Sequence, residues 1–196
     1  MNLVIGVTGA TGTVYAVRLL EYLKDIEEIK THLIMSKWAI NNLEVETDYS
    51  LDYVYDLADF IHNNDELGAC VASGSFLTDG MIILPCSMKT LSSISNGFST
   101  TLIDRAADVM IKEGRKLVIS PRETPLSSIH LENMLKLSKL GVRIVPPMPG
   151  FYSNPKSLDD IINHHVMKIL DQFNINIGND LRWKGNKLWI RLKLMI

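Results

Sequence analysis

Leu3-Val4-Ile5-Gly6-Val7 is an apolar run of strand length. Thr8-Gly9-Ala10-Thr11-Gly12 interrupts it, and Val14, Val17 and Leu20 then begin an apolar stripe at helical spacing. A continuous apolar run of this length suits a strand buried on both faces of a parallel sheet. Strand, glycine turn and helix make the opening unit of a nucleotide-binding α/β domain. The glycines let backbone approach a phosphate, and the first N–H groups of the helix, with its dipole, favour the negative charge. Thr8, Thr11 and Thr13 add hydroxyl donors. A tight turn with no ligand is the plainer alternative.

The spacing bears on which nucleotide. The glycines fall at Gly6, Gly9 and Gly12, not as G-x-G-x-x-G, and the second apolar run, His32-Leu33-Ile34-Met35, ends in Ser36-Lys37. Dinucleotide enzymes usually place an acid there to hold a ribose. A serine suits a phosphate or a ribityl chain, which points to a mononucleotide such as FMN and away from NAD.

A chain of 196 residues is long enough for one α/β domain with a full core. Its net charge of −2 comes from interspersed acids and bases, so no basic tract asks for nucleic acid or a membrane surface. The apolar runs are too short to span a bilayer. Met1 leads directly into a strand, which leaves no room for a signal peptide, and a cytoplasmic protein is expected. Cys70 and Cys86 have neither metal spacing nor a disulfide pattern.

Periodicity and breakers place helices at about 14–26, 38–45, 50–58, 87–94, 101–113, 127–140 and 157–173. Strands are expected at 32–35, 80–84, 116–120 and 143–145, with Pro85 ending the second of these and a further short strand at 69–71. The stretch 59–68 reads as polar and irregular. Thr101 with Asp104 resembles a capping box. Alternating strands and helices imply a three-layer, doubly wound parallel sheet of Rossmann or flavodoxin type in a single domain. Ligands of such sheets lie outside the carboxyl ends of the strands. That rule gathers Thr8–Gly12, Ser36-Lys37, Ser87–Thr90 and Arg122-Glu123 on one edge. The expected organisation is one domain over residues 1–183 and a tail over 184–196 that stands outside the fold.

Gly9-Ala10-Thr11-Gly12, Ser36-Lys37, Glu46-Thr47-Asp48, Pro85-Cys86-Ser87-Met88-Lys89-Thr90-Leu91, Arg105-Ala106-Ala107-Asp108-Val109, Pro121-Arg122-Glu123, Ile129-His130-Leu131-Glu132-Asn133-Met134 and Gly150-Phe151-Tyr152 occur in this order. Taken together, over about residues 2–183, the set resembles the UbiX-type flavin prenyltransferases. That family includes the small B subunits of non-oxidative hydroxyarylic acid decarboxylases. The resemblance implies a metal-independent transfer of the dimethylallyl group of dimethylallyl monophosphate to reduced FMN, at N5 and C6. The prenylated flavin would pass to a UbiD-type decarboxylase. A homo-oligomer, commonly a dodecamer with sites between subunits, is implied as well.

The resemblance also assigns residues. Gly9, Ala10, Thr11, Ser36, Ser87, Met88, Lys89, Thr90 and Arg122 match FMN contacts. Tyr152, Lys168 and Arg122 match prenyl-phosphate contacts, where cations and hydroxyls neutralise a leaving phosphate without a metal. Arg105 and Lys112, seven apart on one helix face, are expected to help with phosphate or to pair with the acids, with a solvated ion pair as the equal alternative. Glu46 and Glu123 match acid/base positions, where two carboxylates divide proton transfers. Trp183 matches an aromatic beside the prenyl group, whose face stabilises a positive allyl fragment. No metal is expected: His164 and His165 are adjacent and diverge around a helix, His32 sits in a strand, and His62 falls in a polar loop. His130 lies in a family motif, and Cys86 reads as a buried small hydrophobe. Two other readings stand beside this one. A peptidyl-cysteine decarboxylase would carry Pro-x-Met-Asn, where this chain has Pro85-Cys86-Ser87-Met88. A non-catalytic flavin carrier would share the cofactor site without turnover.

Overall fold

Asn2–Val7 (β1), Lys30–Met35 (β2), Phe60–Asn63 (β3), Gly80–Cys86 (β4), Lys116–Pro121 (β5) and Arg143–Ile144 (β6) form one six-stranded sheet in a computed structural model that describes residues 1–178 and 182–183. The strand order is β3-β2-β1-β4-β5-β6, and every pairing is parallel. Among the described residues, seven α-helices connect and cover it: Thr13–Lys24 (α1), Lys37–Glu46 (α2), Leu51–Asp56 (α3), Met88–Ser95 (α4), Leu102–Lys112 (α5), Ser128–Lys139 (α6) and Leu158–Asp171 (α7).

Alternation along the strands sends side chains to two cores. Leu3, Ile5, Val7, Leu33, Ile82 and Leu84 pack under α1, α2 and α7 with Leu19, Leu20, Leu43, Ile169 and Leu170. Val4, Ile34, Met81, Ile83 and Ile119 face the other way, against Leu91, Ile103, Ala106, Ala107 and Leu137 of α4, α5 and α6. Two covered faces explain why the central strands are apolar throughout. The helix starts are capped by side chains. Ser36, Ser50, Ser87, Thr101, Ser127 and Ser157 each accept a backbone N–H from the first turn, each worth about 1 kcal/mol.

Four expectations need correction. The polar stretch 59–68 contains β3, whose residues are mostly exposed, so an edge strand carries no apolar run to betray it. Residues Cys70–Ala72 form a 3-10 turn, not a strand. Pro85 does not end β4; it lies inside the strand, which continues to Cys86 with a register irregularity against β5. The Thr101 cap is also only half of a capping box: its hydroxyl accepts from Asp104 N, but the Asp104 carboxylate accepts from the Thr100 hydroxyl. Residues 184–196, expected to form a tail, lie outside the described residues. No described helix is long and apolar enough to cross a membrane.

Candidate active site

The connection order reverses between β1 and β4: one half of the chain winds outward through β2 and β3, the other through β5 and β6. Helices on both sides leave a crevice at such a switch point, outside the carboxyl ends of the strands. Here it is a cleft of about 220 Å³ lined by Thr8, Gly9, Ser36, Asn64, Ser87, Lys89 and Thr90, with Trp38 along its wall. The hydroxyls have defined partners. Thr8 Oγ1 donates to the Pro85 carbonyl at 2.9 Å and accepts from Ser87 N at 2.7 Å, locking the β1 loop to the β4 loop. Ser36 Oγ accepts from Ala39 N at 3.1 Å, and Ser87 Oγ accepts from Thr90 N at 3.3 Å.

Which helix faces the crevice with free donors differs from expectation. The start of α1 is already satisfied by a carboxylate. Glu46, at the end of α2, accepts from Gly12 N at 2.8 Å and from Thr13 N and Thr13 Oγ1 at 3.1 Å, all at Oε2. Burial pushes the Glu46 carboxyl up, but hydrogen bonds from Thr11, Gly12 and Thr13 outweigh this and hold it below the usual carboxylate range. So Thr13 serves Glu46, Thr8 serves the loop, and the Gly12 and Thr13 N–H groups are already taken by the Glu46 carboxylate. The starts of α2 and α4, behind Ser36 and Ser87, are the ones beside the crevice, and the first N–H groups of a helix have no intrahelical acceptor.

The two loop glycines serve geometry. A Cβ on Gly9 would stand 2.5 Å from Trp38 Cβ, so its absence lets α2 close on the β1 loop. Gly12 has φ +107°, the left-handed region that favours glycine, and turns the chain into α1. Ala10 is buried and Thr11 exposed. Arg122 and Glu123 follow β5 directly. Arg122 N donates to the Cys86 carbonyl at 3.1 Å, which sets it beside Ser87, and both side chains are exposed.

A second group forms at α7. The Tyr152 hydroxyl lies 2.6 Å from His164 Nε2, and its ring meets Trp183 edge-on at 5.8 Å. Burial and the Lys168 charge lower the His164 pKa, partly offset by Asp171. Asp171 in turn pairs with Lys168 at 3.8 Å and with Arg182 at 2.6 Å. Sequence reasoning assigned Tyr152, Lys168 and Trp183 but missed His164, which it treated only as a poor metal ligand. The i, i+4 spacing of His164 and Lys168 on one helix was the available signal.

The third group is Arg105 with Lys112 on α5, beside a cavity of about 440 Å³ whose rim is Ala72–Ser75. Their expected pairing with the acids is not seen. Arg105 pairs with Asp108 at 2.7 Å and donates to the Ala72 carbonyl, and Lys112 pairs with Glu113. Thr101, which starts α5, also lines the crevice, and its carbonyl accepts from Arg105 N at 2.9 Å.

A Rossmann-type α/β domain whose switch-point crevice is lined with hydroxyls and flanked by two capped helix starts is a nucleotide-binding flavoprotein architecture. Residues 1–170 match the Flavoprotein family model. The chain is 58% identical to flavin prenyltransferase LpdB of Lactiplantibacillus plantarum over 185 residues, covering 94% of this chain and 99% of that one. It is similar to the dodecameric FMN-dependent UbiX-like decarboxylase of Escherichia coli O157:H7, with TM-score 0.93, 55% identity and coverage of 94% and 100%. It is also similar to AnUbiX solved in complex with FMN and dimethylallyl pyrophosphate, with TM-score 0.92, 48% identity and coverage of 94% and 98%. The chain belongs to the UbiX-like flavin prenyltransferases, within the Flavoprotein family.

Proposed function

We propose that this enzyme joins the dimethylallyl group of a dimethylallyl phosphate to reduced FMN, its acceptor substrate, for use by a UbiD-type aromatic acid decarboxylase. The observation that carries the reading is the crevice at the β1/β4 switch point in a chain 58% identical to a flavin prenyltransferase. Its donor set fits a flavin mononucleotide. Ser36, Ser87 and Thr90 hydroxyls, the Lys89 ammonium and the starts of α2 and α4 suit a phosphate and a ribityl chain, and no acid stands after β2 to prefer a ribose. Gly9, Ala10, Thr11, Met88 and Arg122 complete the assigned flavin contacts.

Reduced FMN supplies two nucleophilic positions, N5 and C6. The protein's task is to hold the allylic phosphate against them and to manage charge and protons. Arg122, Tyr152, Lys168, Arg105 and Lys112 bind the phosphate as its charge grows, replacing a metal. Trp183 offers its indole face to the positive allyl fragment. Glu123 gives the departing phosphate a proton, and Glu46 takes the proton that C6 must lose.

A site assembled between copies follows from the resemblance, and a UbiX-like relative is dodecameric. The partner decarboxylase follows from the resemblance alone. The test is incubation with photoreduced FMN and, in parallel, dimethylallyl monophosphate or pyrophosphate. Prenylated FMN is expected from the monophosphate. A bound flavin that remains unmodified with either donor would favour the carrier reading.

A further inference from the structure

Three side chains that the flavin chemistry does not use meet on β2, the edge strand β3 and the turn that follows it. His32 lies on β2 and His62 on β3, two residues out of register on the same face, since Ile34 is the partner of His62. His32 Nδ1 stands 3.0 Å from His62 Nε2. Cys70 opens the 3-10 turn beside them, and its Sγ and one nitrogen from each ring all lie within 4.8 Å of one another. We propose that His32, His62 and Cys70 form a site for a thiophilic divalent cation of the Zn²⁺ class, its fourth position open to water.

The geometry needs little adjustment. Tetrahedral Zn²⁺ with these ligands sets nitrogens about 3.3 Å apart and sulfur about 3.6 Å from each. The rings would separate by a few tenths of an ångström and the thiolate would close in by roughly an ångström. His32 is held in place by Phe60, stacked at 4.6 Å, and by Phe76, edge-on at 5.2 Å. It is buried, His62 half-buried and Cys70 exposed, so the site has a fixed inner ligand and an open outer one. Two imidazoles with one thiolate select Zn²⁺-like ions over Mg²⁺ or Ca²⁺. Charges favour a cation too: Asp59 acts on His32 and Glu66 on His62.

Bound metal would clip the edge strand and the Cys70–Ala72 turn to β2. That turn leads into the segment whose Ala72 carbonyl accepts from Arg105 Nε at 3.1 Å, so the clip also steadies a residue assigned to phosphate. The proposal stands on the three ligands and does not depend on the prenyl-transfer reading.

The experiment is titration of chelator-treated, full-length protein with Co²⁺ as spectroscopic probe, followed by displacement with Zn²⁺. The expected result is one equivalent of Co²⁺ with a thiolate-to-metal charge-transfer band that Zn²⁺ abolishes. Cys70→Ser, an exposed substitution that leaves the fold intact, should lose the band entirely. Cys86 cannot replace it, because it is fully buried and burial pushes its thiol pKa far up. His62→Ala should weaken Co²⁺ binding by more than the roughly 10–100-fold that loss of an outer-shell partner brings. Absence of the band in the unsubstituted protein, its persistence in Cys70→Ser, or unchanged affinity in a folded His62→Ala protein would each overturn the site.

Discussion

The Glu46 carboxylate caps the helix that follows the first loop, accepting from Gly12 N at 2.8 Å. One residue thus has two duties, holding α1 to α2 and, in the proposed chemistry, removing a proton. Glu46→Gln keeps the shape and an acceptor oxygen but not the base. Prenyl transfer should fall on the order of a hundredfold or more, with FMN carrying a dimethylallyl group but its fourth ring unclosed by absorbance and mass. Stability should change by about 1 kcal/mol or less, a capping effect. The sign with pH follows from the lowered pKa: the cap's contribution is full above the ordinary carboxyl pKa and is lost as pH falls through the lower folded value. Ring closure at the unsubstituted rate would remove Glu46 from the chemistry.

Gly9→Ala tests the loop rather than the flavin. The new methyl would meet Trp38 Cβ at 2.5 Å and cannot be accommodated without moving α2. Overpacking of this kind costs about 1–3 kcal/mol. The thermal midpoint should drop by several degrees, and Trp38→Gly in the same chain, which removes the clashing Cβ, should recover part of it. A Gly9→Ala protein as stable as the parent would mean the loop and α2 are not closely packed.

The Tyr152–His164 contact of 2.6 Å should show in the KM for the prenyl phosphate. Tyr152→Phe and Lys168→Ala should each remove one proposed contact to the phosphate, worth about 1.5–3 kcal/mol. His164→Ala should raise the same KM less, because it loosens Tyr152 without removing it. FMN affinity, read by fluorescence quenching, should change little in all three. Unaltered turnover and KM in Lys168→Ala would exclude that lysine from the site.

His165 should make the fold acid-sensitive. Its ring lies 2.9 Å from Ser120 Oγ and edge-on to Tyr15 at 4.9 Å, with His164 adjacent. Burial first, then the His164 charge, lowers its pKa to about 4 from 6.5. Between those values the unfolded chain binds a proton that the native one does not, so stability falls as pH drops from about 6.5 to 4. The loss is about 3 kcal/mol. His165→Gln should flatten that part of a denaturation profile measured across pH 4–7. An unchanged slope would show that His165 is protonated in the native state.

Much of this arrangement is legible in the sequence, because its signals are local and strong. Apolar runs such as Gly80–Leu84 mark central strands, and Ser or Thr before an apolar stripe marks the helix starts. The edge strand Phe60–Asn63 escapes because an exposed strand has no apolar pattern, and its stability comes from pairing with β2. Pro85 misleads because proline is a breaker by composition, whereas here it sits within the strand as the register shifts. In the crevice, residue types identify Ser36, Ser87 and Lys89, but not that Glu46 takes the α1 N–H groups. That depends on where α2 ends relative to α1, a tertiary distance no spacing encodes. The same holds for His32 and His62, thirty residues apart and joined only by strand register.

The most direct measurement is the product itself. The full-length protein, supplied anaerobically with reduced FMN and dimethylallyl monophosphate, should yield FMN heavier by one dimethylallyl group. Its absorbance should be that of a flavin with a fourth ring closed between N5 and C6, and inorganic phosphate should be released in equal amount. Recovery of unmodified FMN with no phosphate release, from protein shown to be folded and flavin-bound, would contradict the assignment of prenyl transfer to this crevice.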